Sequence, residues 1–533
     1  MKKKTSIVSL VVLLAFSMVL SACSGKNGNN PESSPKSSNA VSPEQGASEP
    51  GKSDKKIAIT VYNAATFNQA APIPSKEDDI IRQMFEKELN IDFKMTVPPQ
   101  GQDVTKLNLL ISSNDAPDLM NFRLLTRAYS FYDQGILADL DEVIDRYPAL
   151  KERFTEEQWS SMKYNGKTIG IPVSDPTSGT MSWWIRYDWL KKLNLSVPTT
   201  PDELLEVLKA FTFDDPDGNS KDDTYGITGG VLKDGNTILG LDGLYAMFGT
   251  FPNQIDVKDG KVVIYNTDNR TKEALAYLNK LYSAKVIDPD FATITDKVGM
   301  DQKFLKGKSG FAITDWRSLE PNSQQQMKDL GGETPEWIAI PPMKGPFGDQ
   351  ISSVAGSQNN MWAISKKAAE DPEKLDRIMQ LLQYWYTDEE SYPYIAYGVK
   401  GETWDIVDGK PKKLELTKEI EDKYKYIAHY QLSRRGDDPI YFNYENPKTD
   451  EYRQLNLKYV YSNPYNQRVT ADPEDKSIAD RQKYTSEMFL RFVTGKEPIS
   501  NWDAYLQTLE SKFNQKKYEE NVIKQLSDLG LLQ

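Results

Sequence analysis

The sequence predicts an α/β protein of two lobes, and three observations point there. Segments that alternate apolar and polar residues give way again and again to segments of helical spacing, which implies a parallel-rich sheet with helices packed on it. The body after the N-terminal segment is about 477 residues long, too many for one compact core and comfortable for two. No internal repeat divides it into smaller units.

The elements follow in order. Lys56–Asn63, KIAITVYN, alternates like a first strand. Glu77–Asn90 spaces Ile80, Ile81, Met84, Phe85 and Leu89 along one helical face, and Ile91–Val97 reads as a second strand. Lys106–Met120 is a helix that stops at Asn114 and turns into a strand. Further on, Thr200 is an N-cap, Pro201 takes the first helical position, and Glu203 is its capping-box partner. Leu204, Leu205, Leu208 and Phe211 then form a buried stripe. Asn266–Lys285 is a helix with Ala274, Leu275, Leu278, Leu281 and Tyr282 inward. Asp371–Tyr386 is a capped helix with Pro372 at its first position and Leu375, Ile378, Met379, Leu382 and Trp385 on one stripe. The C-terminal third is helical over Ile478–Thr494, Ser500–Phe513 and Tyr518–Leu529.

The N-terminus is built for export. Met1-Lys2-Lys3-Lys4 precedes an apolar run from Ile7 to Leu20, too short to span a bilayer comfortably and suited to a secretory signal. Leu20-Ser21-Ala22-Cys23 resembles the lipobox of bacterial lipoproteins, and Cys23 is the sole cysteine in the chain. Cleavage before Cys23 would leave residues 1–22 as the signal peptide and the thiol as the site of lipid attachment. Ser24–Lys56 is Ser, Pro, Asn, Gly and charge, with Val41 its one large apolar residue, so it cannot offset its ordering entropy and reads as a disordered tether. As a flexible coil it would reach roughly 30 Å.

Composition excludes several function classes. Loss of the signal segment takes the net charge from −12 to −15, which argues against nucleic acid and against a basic membrane-binding face. Without cysteine after Cys23 there are no disulfides, thiolate nucleophiles or Cys-based zinc sites in the body. His429 is the single histidine, so a multi-histidine zinc site is impossible and a Ser-His-Asp site could be built only around it. Neither a nucleophile elbow nor a phosphate-binding loop appears. Carboxylate pairs for glycoside cleavage stay open, since 77 Asp and Glu make chance pairings certain.

One turn looks made for a cation. Asp215, Asp217, Asn219, the carbonyl of Lys221, and Asp223 fall at alternate positions, as oxygen ligands do in a calcium loop. A structural calcium is expected there, although Ser220 replaces the glycine that eases such a turn.

The run from Trp184 to Leu204, W-I-R-x-D-W-L-x-K-L-x-L-x-V-P-T-T-x-x-E-L, followed by Asp215-Pro216-Asp217-Gly218-Asn219, resembles the extracellular solute-binding lipoproteins of ABC importers, the alginate- and oligosaccharide-binding group among them. Ser113, Asp115, Pro117 and Asp118, the segments Gly135–Asp141 and Tyr164–Pro172, and Phe304–Trp316 match further signposts of that family. The resemblance spans roughly residues 57–533. It implies a two-lobed periplasmic-binding-protein-like fold of type II, whose hinged lobes close on a ligand in the cleft. By that analogy lobe one holds 57–175 plus 336–365 and lobe two holds 176–335 plus 366–533. Trp337–Pro342 and Val354–Ser365 would return through lobe one. The family's calcium loop carries an acid where Thr224 stands here.

A sugar presents flat C–H faces and a ring of hydroxyls, which call for aromatic plates and fixed charged or amide groups. Ten Trp and 28 Tyr supply the plates. Trp184, Trp316 and Trp404 are the leading cleft candidates, with Trp183 and Trp362 beside them. Period-two geometry would turn Trp183 and Trp184 to opposite sides of a strand, so one of the two is structural. Arg186 and Arg317 could receive an acidic sugar, and Glu402, in the segment YGVKGETW that resembles a ligand-contacting stretch of the family, could hold hydroxyls. Trp159, Trp189, Trp385 and Trp502 read as packing residues.

The resemblance therefore implies a monomeric binding protein rather than an enzyme. It would be held by lipid on the outer face of the membrane and would deliver an oligosaccharide to an ABC permease. A peptide or other polar solute in the same fold, and a secreted polysaccharide-degrading lipoprotein, are the alternatives.

Overall fold

The computed structural model describes residues 56–532 apart from 65–70, 100–101, 174–180, 232–237, 296, 316–323, 326, 329–334, 357–359, 431–446 and 473. The signal segment, Cys23 and nearly all of the tether lie outside the described residues, as do Trp316 and Arg317.

Among the described residues, the principal strands are β1 (Ile57–Tyr62), β2 (Ile91–Thr96), β3 (Leu119–Phe122), β4 (Ile171–Pro172), β5 (Met181–Arg186), β6 (Tyr225–Ile227), β7 (Ser309–Asp315) and β8 (Trp337–Ile340), with β9 (Ser353–Gly356), β10 (Met361–Ile364) and β11 (Val460–Asn463) following along the chain. The helices that pack on them are α1 (Ile80–Glu88), α2 (Asp103–Ser112), α3 (Leu125–Asp133), α4 (Pro201–Phe213), α5 (Asn269–Ser283), α6 (Pro372–Thr387), α7 (Pro447–Leu457), α8 (Ile478–Val493), α9 (Trp502–Phe513) and α10 (Gln515–Asp528).

The first sheet has the order β2-β1-β3-β10-β4, and the second β8-β5-β7-β6. Parallel pairing holds for β2-β1-β3 and for β7-β6, while β10, β5 and β8 run antiparallel to their neighbours. Both are thus mixed sheets. One face of the first sheet (Ile57, Ile59, Val61) is covered by Ile81 and Phe85 of α1 and by Ile378, Leu382 and Trp385 of α6. Its other face (Tyr62, Met120, Phe122) meets Leu107 of α2 and Leu125 and Ala128 of α3. In the second sheet Ile185, Phe311 and Ile313 pack on Leu204, Leu208 and Phe211 of α4, Leu275 and Leu278 of α5, and Phe489 and Phe492 of α8. Helices on both faces of two separate sheets give the two-lobed α/β architecture that the alternating pattern implied.

The helix starts are legible to the atom. Thr200 Oγ1 accepts the Glu203 N–H at 3.3 Å. The Glu203 carboxylate, however, reaches Thr199, accepting its N–H at 2.8 Å and its hydroxyl at 2.7 Å, one residue before the predicted partner. Asp371 caps α6 through the N–H groups of Glu373 and Lys374. Asn114 adopts φ 60°, the left-handed stop at which the predicted helix ended. Two face assignments differ. Ile80 is exposed because α1 begins there, clear of the sheet, and Tyr282 is exposed while Tyr277, one turn earlier, is buried and donates to the Pro201 carbonyl at 2.7 Å.

Two segments lie elsewhere than the sequence boundaries place them. β8, assigned to lobe one, pairs antiparallel with β5 in the second sheet, Trp337 opposite Arg186 and Ile340 opposite Trp183. Residues from α6 through Tyr430, assigned to lobe two, complete the first core instead, because the apolar stripe of α6 fits the face of β1 and α1. The C-terminal helices α8 and α9 pack in the second core through Phe489, Phe492, Trp502 and Tyr505.

Candidate functional site

The two sheets are joined at their ends in a particular way. β1 and β3 end at Tyr62 and Phe122, β10 begins opposite Phe122 at Met361, and Met361 also pairs with Pro172 at the end of β4. This carboxyl edge of the first sheet is where the chain leaves for β5, whose first residue pairs with Asp315 at the end of β7. β8 ends beside Trp183, near that same edge of the second sheet, before the chain returns to Met361. A third crossing runs from Tyr430 in the first core to α7, whose Tyr452 packs in the second. The eight residues between Pro172 and Met181 keep the two edges within roughly 30 Å. A crevice outside the carboxyl ends of strands is the general place for a ligand in an open α/β sheet, and chain crossings at such edges are how hinged lobes are built.

The first-sheet edge is polar and in part charged. Asn121, almost fully buried, donates from Nδ2 to Asn360 Oδ1 at 2.9 Å and to the Met361 carbonyl at 3.4 Å. Its Oδ1 has no hydrogen-bond partner among the described residues, a costly state for a buried acceptor. Asn63 follows β1 and donates to the His429 carbonyl at 2.8 Å. The Tyr62 hydroxyl donates to the Asp103 carbonyl at 2.6 Å, and burial, then the Asp103 carboxylate, pushes its pKa well up. Arg127 forms an ion pair with Asp103, and Arg123, one residue beyond β3, stands exposed. Tyr62, Asp103, Asn121, Arg123 and Arg127 line a shallow depression at the strand ends. The sequence pattern did not single out Tyr62, Asn121, Arg123 or Arg127. The signal was the polar residue directly after each apolar strand: Asn63 after IAITVY and Arg123 after LMNF.

The tryptophans behave differently from expectation. β5 is central in its sheet and covered on both faces, so Trp183 and Trp184 point opposite ways, as period two requires, and both are fully buried. Trp183 meets Phe311, and Trp184 lies edge-on to Tyr452 with centroids 4.9 Å apart. Trp362 is buried 5.7 Å from Trp385, and Trp404 is buried with its indole donating to the Gly398 carbonyl at 2.9 Å. None of these four rings is offered to a solute in this conformation. The largely apolar runs MSWWI around Trp183 and Trp184, and MWAI around Trp362, already marked strands covered on both sides. Arg186 is held by Asp188, Nε to Oδ1 at 2.8 Å and Nη2 to Oδ2 at 2.5 Å, and stacks 4.3 Å above the Trp189 ring. Glu402 pairs with Lys423 at 3.0 Å. His429 is buried, its Nε2 2.8 Å from the Ala71 carbonyl, and burial lowers its pKa, with hydrogen bonding to Ala71 and the charge of Asp79 acting against this.

The acidic turn does not fit a calcium ion. Its oxygens accept hydrogen bonds from the chain: Asp215 Oδ1 from the Asn219 N–H and Oδ2 from the Ser220 N–H, both at 3.0 Å. Asp223 Oδ2 lies 2.6 Å from Lys308 Nζ. Thr224 is buried and donates to the Phe211 carbonyl at 2.9 Å, so it offers the turn no ligand. Among the described residues no three acidic, His or Cys side chains converge as a metal set.

Residues 67–391 match the family model described as bacterial extracellular solute-binding protein. The chain belongs to this family. Among its relatives, the polygalacturonan/rhamnogalacturonan-binding protein YtcQ of Bacillus subtilis is 25% identical over 527 residues, covering 96% of each chain. Lipoprotein LipO of the same organism is 28% identical over 364 residues, 68% of this chain and 71% of that one. The fold recurs in an HMO-binding, ABC-transporter-associated solute-binding protein of Bifidobacterium longum infantis, with 20% identity and a TM-score of 0.68 over 89% of this chain and 99% of that one. It recurs also in an EF-hand mutant of the Streptococcus pneumoniae binding protein FusA in complex with fructo-nystose, with 21% identity and a TM-score of 0.60 over 89% and 99%. Two lobes joined by repeated chain crossings are the architecture expected of a solute-binding protein of this family.

Proposed function

We propose that this solute-binding protein captures an acidic oligosaccharide of the pectin type outside the cell and passes it to an ABC importer. The observation that carries the reading is the likeness to the polygalacturonan/rhamnogalacturonan-binding YtcQ along nearly the whole of both chains. The exposed Arg123 at the rim of the strand-end depression supports it, since a uronate asks for a guanidinium. Arg123, exposed at the strand end, would receive a carboxylate. Trp316 and Arg317, directly after β7 in sequence, would supply a plate and a second cation from the other lobe. Lipid on Cys23 would hold the body to the outer face of the membrane, as the likeness to lipoprotein LipO suggests, with the tether giving it reach.

The test is calorimetric titration with tri- and tetragalacturonate, neutral fructo- and malto-oligosaccharides, and peptides, alongside an assay for new reducing ends. Saturable binding of galacturonates without reducing ends is expected. Binding of peptides alone would overturn the oligosaccharide reading, and reducing ends would make the protein an enzyme.

A further inference from the structure

The acidic turn sits between α4 and β6, directly before an edge strand of the second sheet. A calcium loop works by turning carboxylate and carbonyl oxygens inward with their lone pairs free. Here the lone pairs face protein donors. Asn219 Oδ1 accepts the Lys221 N–H at 2.8 Å, which fixes the orientation of the side-chain amide. Its NH₂ is thereby aimed into the ring, donating to Asp217 Oδ2 at 2.8 Å and to Asp223 Oδ1 at 3.1 Å. Turning the amide over to present an oxygen to a cation would abandon the Lys221 N–H. The second donor comes from outside the turn: Lys308 Nζ lies 2.6 Å from Asp223 Oδ2 and 3.5 Å from Asp217 Oδ2.

We propose that the ammonium of Lys308, with the Asn219 amide, replaces the divalent cation of this turn, so that the lobe folds and binds its solute independently of calcium. Lys308 is the residue before β7, and its carbonyl also accepts the Tyr225 N–H at 2.8 Å where β6 begins. One residue therefore neutralises the turn through its side chain and pins the following strand through its backbone. Ion binding would stabilise the fold only as far as calcium is present, whereas a fixed ammonium acts at every calcium concentration. Electrostatics agree with the geometry, the Asp223 carboxyl being lowered first by Lys308, against its burial. Thr224 completes the argument, since the position that would have to supply a further acid is occupied by a hydroxyl turned to the helix end.

The experiment compares thermal unfolding of the full chain after EDTA treatment with unfolding in millimolar calcium, and titrates calcium calorimetrically into the EDTA-treated protein. The expected result is an unchanged Tm and no heat beyond dilution. A saturable rise in Tm or a binding isotherm at or below millimolar calcium would overturn the proposal. A second arm uses Lys308→Met, alone and with Thr224→Glu. Lys308→Met should lower Tm, and the double variant, its ring open and its acid restored, should regain Tm when calcium is added. A Lys308→Met Tm equal to that of the wild type would also overturn the proposal. Should the variants fail to fold, the wild-type titration still decides.

Discussion

Arg468 Nη1 donates to the Ser161 carbonyl at 2.9 Å, and Nη2 of the same guanidinium donates to the Lys163 carbonyl at 3.1 Å. Arg468 follows β11 on a segment anchored to the second lobe, where the Asn463 amide donates to the Ile255 carbonyl. Ser161 ends a short helix of the first lobe, over Glu156–Ser161. A buried arginine thus spans from one lobe to bare carbonyls of the other. Arg468→Met should leave those carbonyls unpaired, cost ~2 kcal/mol of stability in urea unfolding, and change solute affinity by loosening the crossing between lobes. Unchanged stability and affinity would show that the strut carries no load.

Asp118 makes a different kind of join. β3 begins only at Leu119, so the ladder beside Thr60 has no strand to pair with, and the Asp118 carboxylate accepts both the Thr60 N–H and its hydroxyl at 2.8 Å. Lys374 of α6 pairs with the other carboxylate oxygen at 3.0 Å. Asp118→Ala leaves a backbone N–H and an ammonium without partners and should cost ~3 kcal/mol, and Asp118→Asn less, read from denaturant midpoints at unchanged slope.

Glu86 predicts how stability depends on pH. Burial works against its ionisation, but hydrogen bonds from Lys76, Lys56, Arg82 and the Phe93 N–H outweigh this and hold its pKa at about 2. The unfolded carboxyl titrates near 4.5. A depressed native pKa means stability that is complete above pH ~4.5 and lost as pH falls from there towards 2. Allowing for solvent around the half-exposed lysines, Glu86→Gln should cost roughly 1 kcal/mol at neutral pH and flatten the acid limb of the stability curve. A variant curve parallel to the wild type through that window would refute the assignment.

Arg123 separates binding from stability. It is exposed, so Arg123→Ala should leave Tm where it is. Affinity for galacturonates should fall about tenfold or more, as one charge-assisted contact is lost, while any weak binding of neutral sugars is spared. Equal loss for charged and neutral sugars would remove Arg123 from carboxylate recognition.

Local structure was legible where one segment decides it. Thr200 and Asp371 named their helix starts, Asn114 its stop, and Trp183 and Trp184 their opposite directions. What the pattern could not carry was partnership at a distance. Whether Trp184 faces a solute or Tyr452 depends on α7, more than 260 residues along the chain. The place of β8 follows from its register with β5, and that of α6 from the shape of the face formed by β1 and α1. The acidic turn shows the same limit, since its alternating oxygens are visible in sequence but Lys308, 85 residues on from Asp223, is not. Site groups such as Asn121 went unseen because an amide at a strand end acquires meaning only when Asn360 and Met361 are brought to it.

The most direct measurement is small-angle scattering of the full chain, with and without saturating trigalacturonate, under conditions where calorimetry shows the site filled. Two lobes closing on an oligosaccharide predict a smaller radius of gyration in the bound state. A saturated protein whose scattering curve superimposes on that of the free protein would contradict closure of the lobes over the solute.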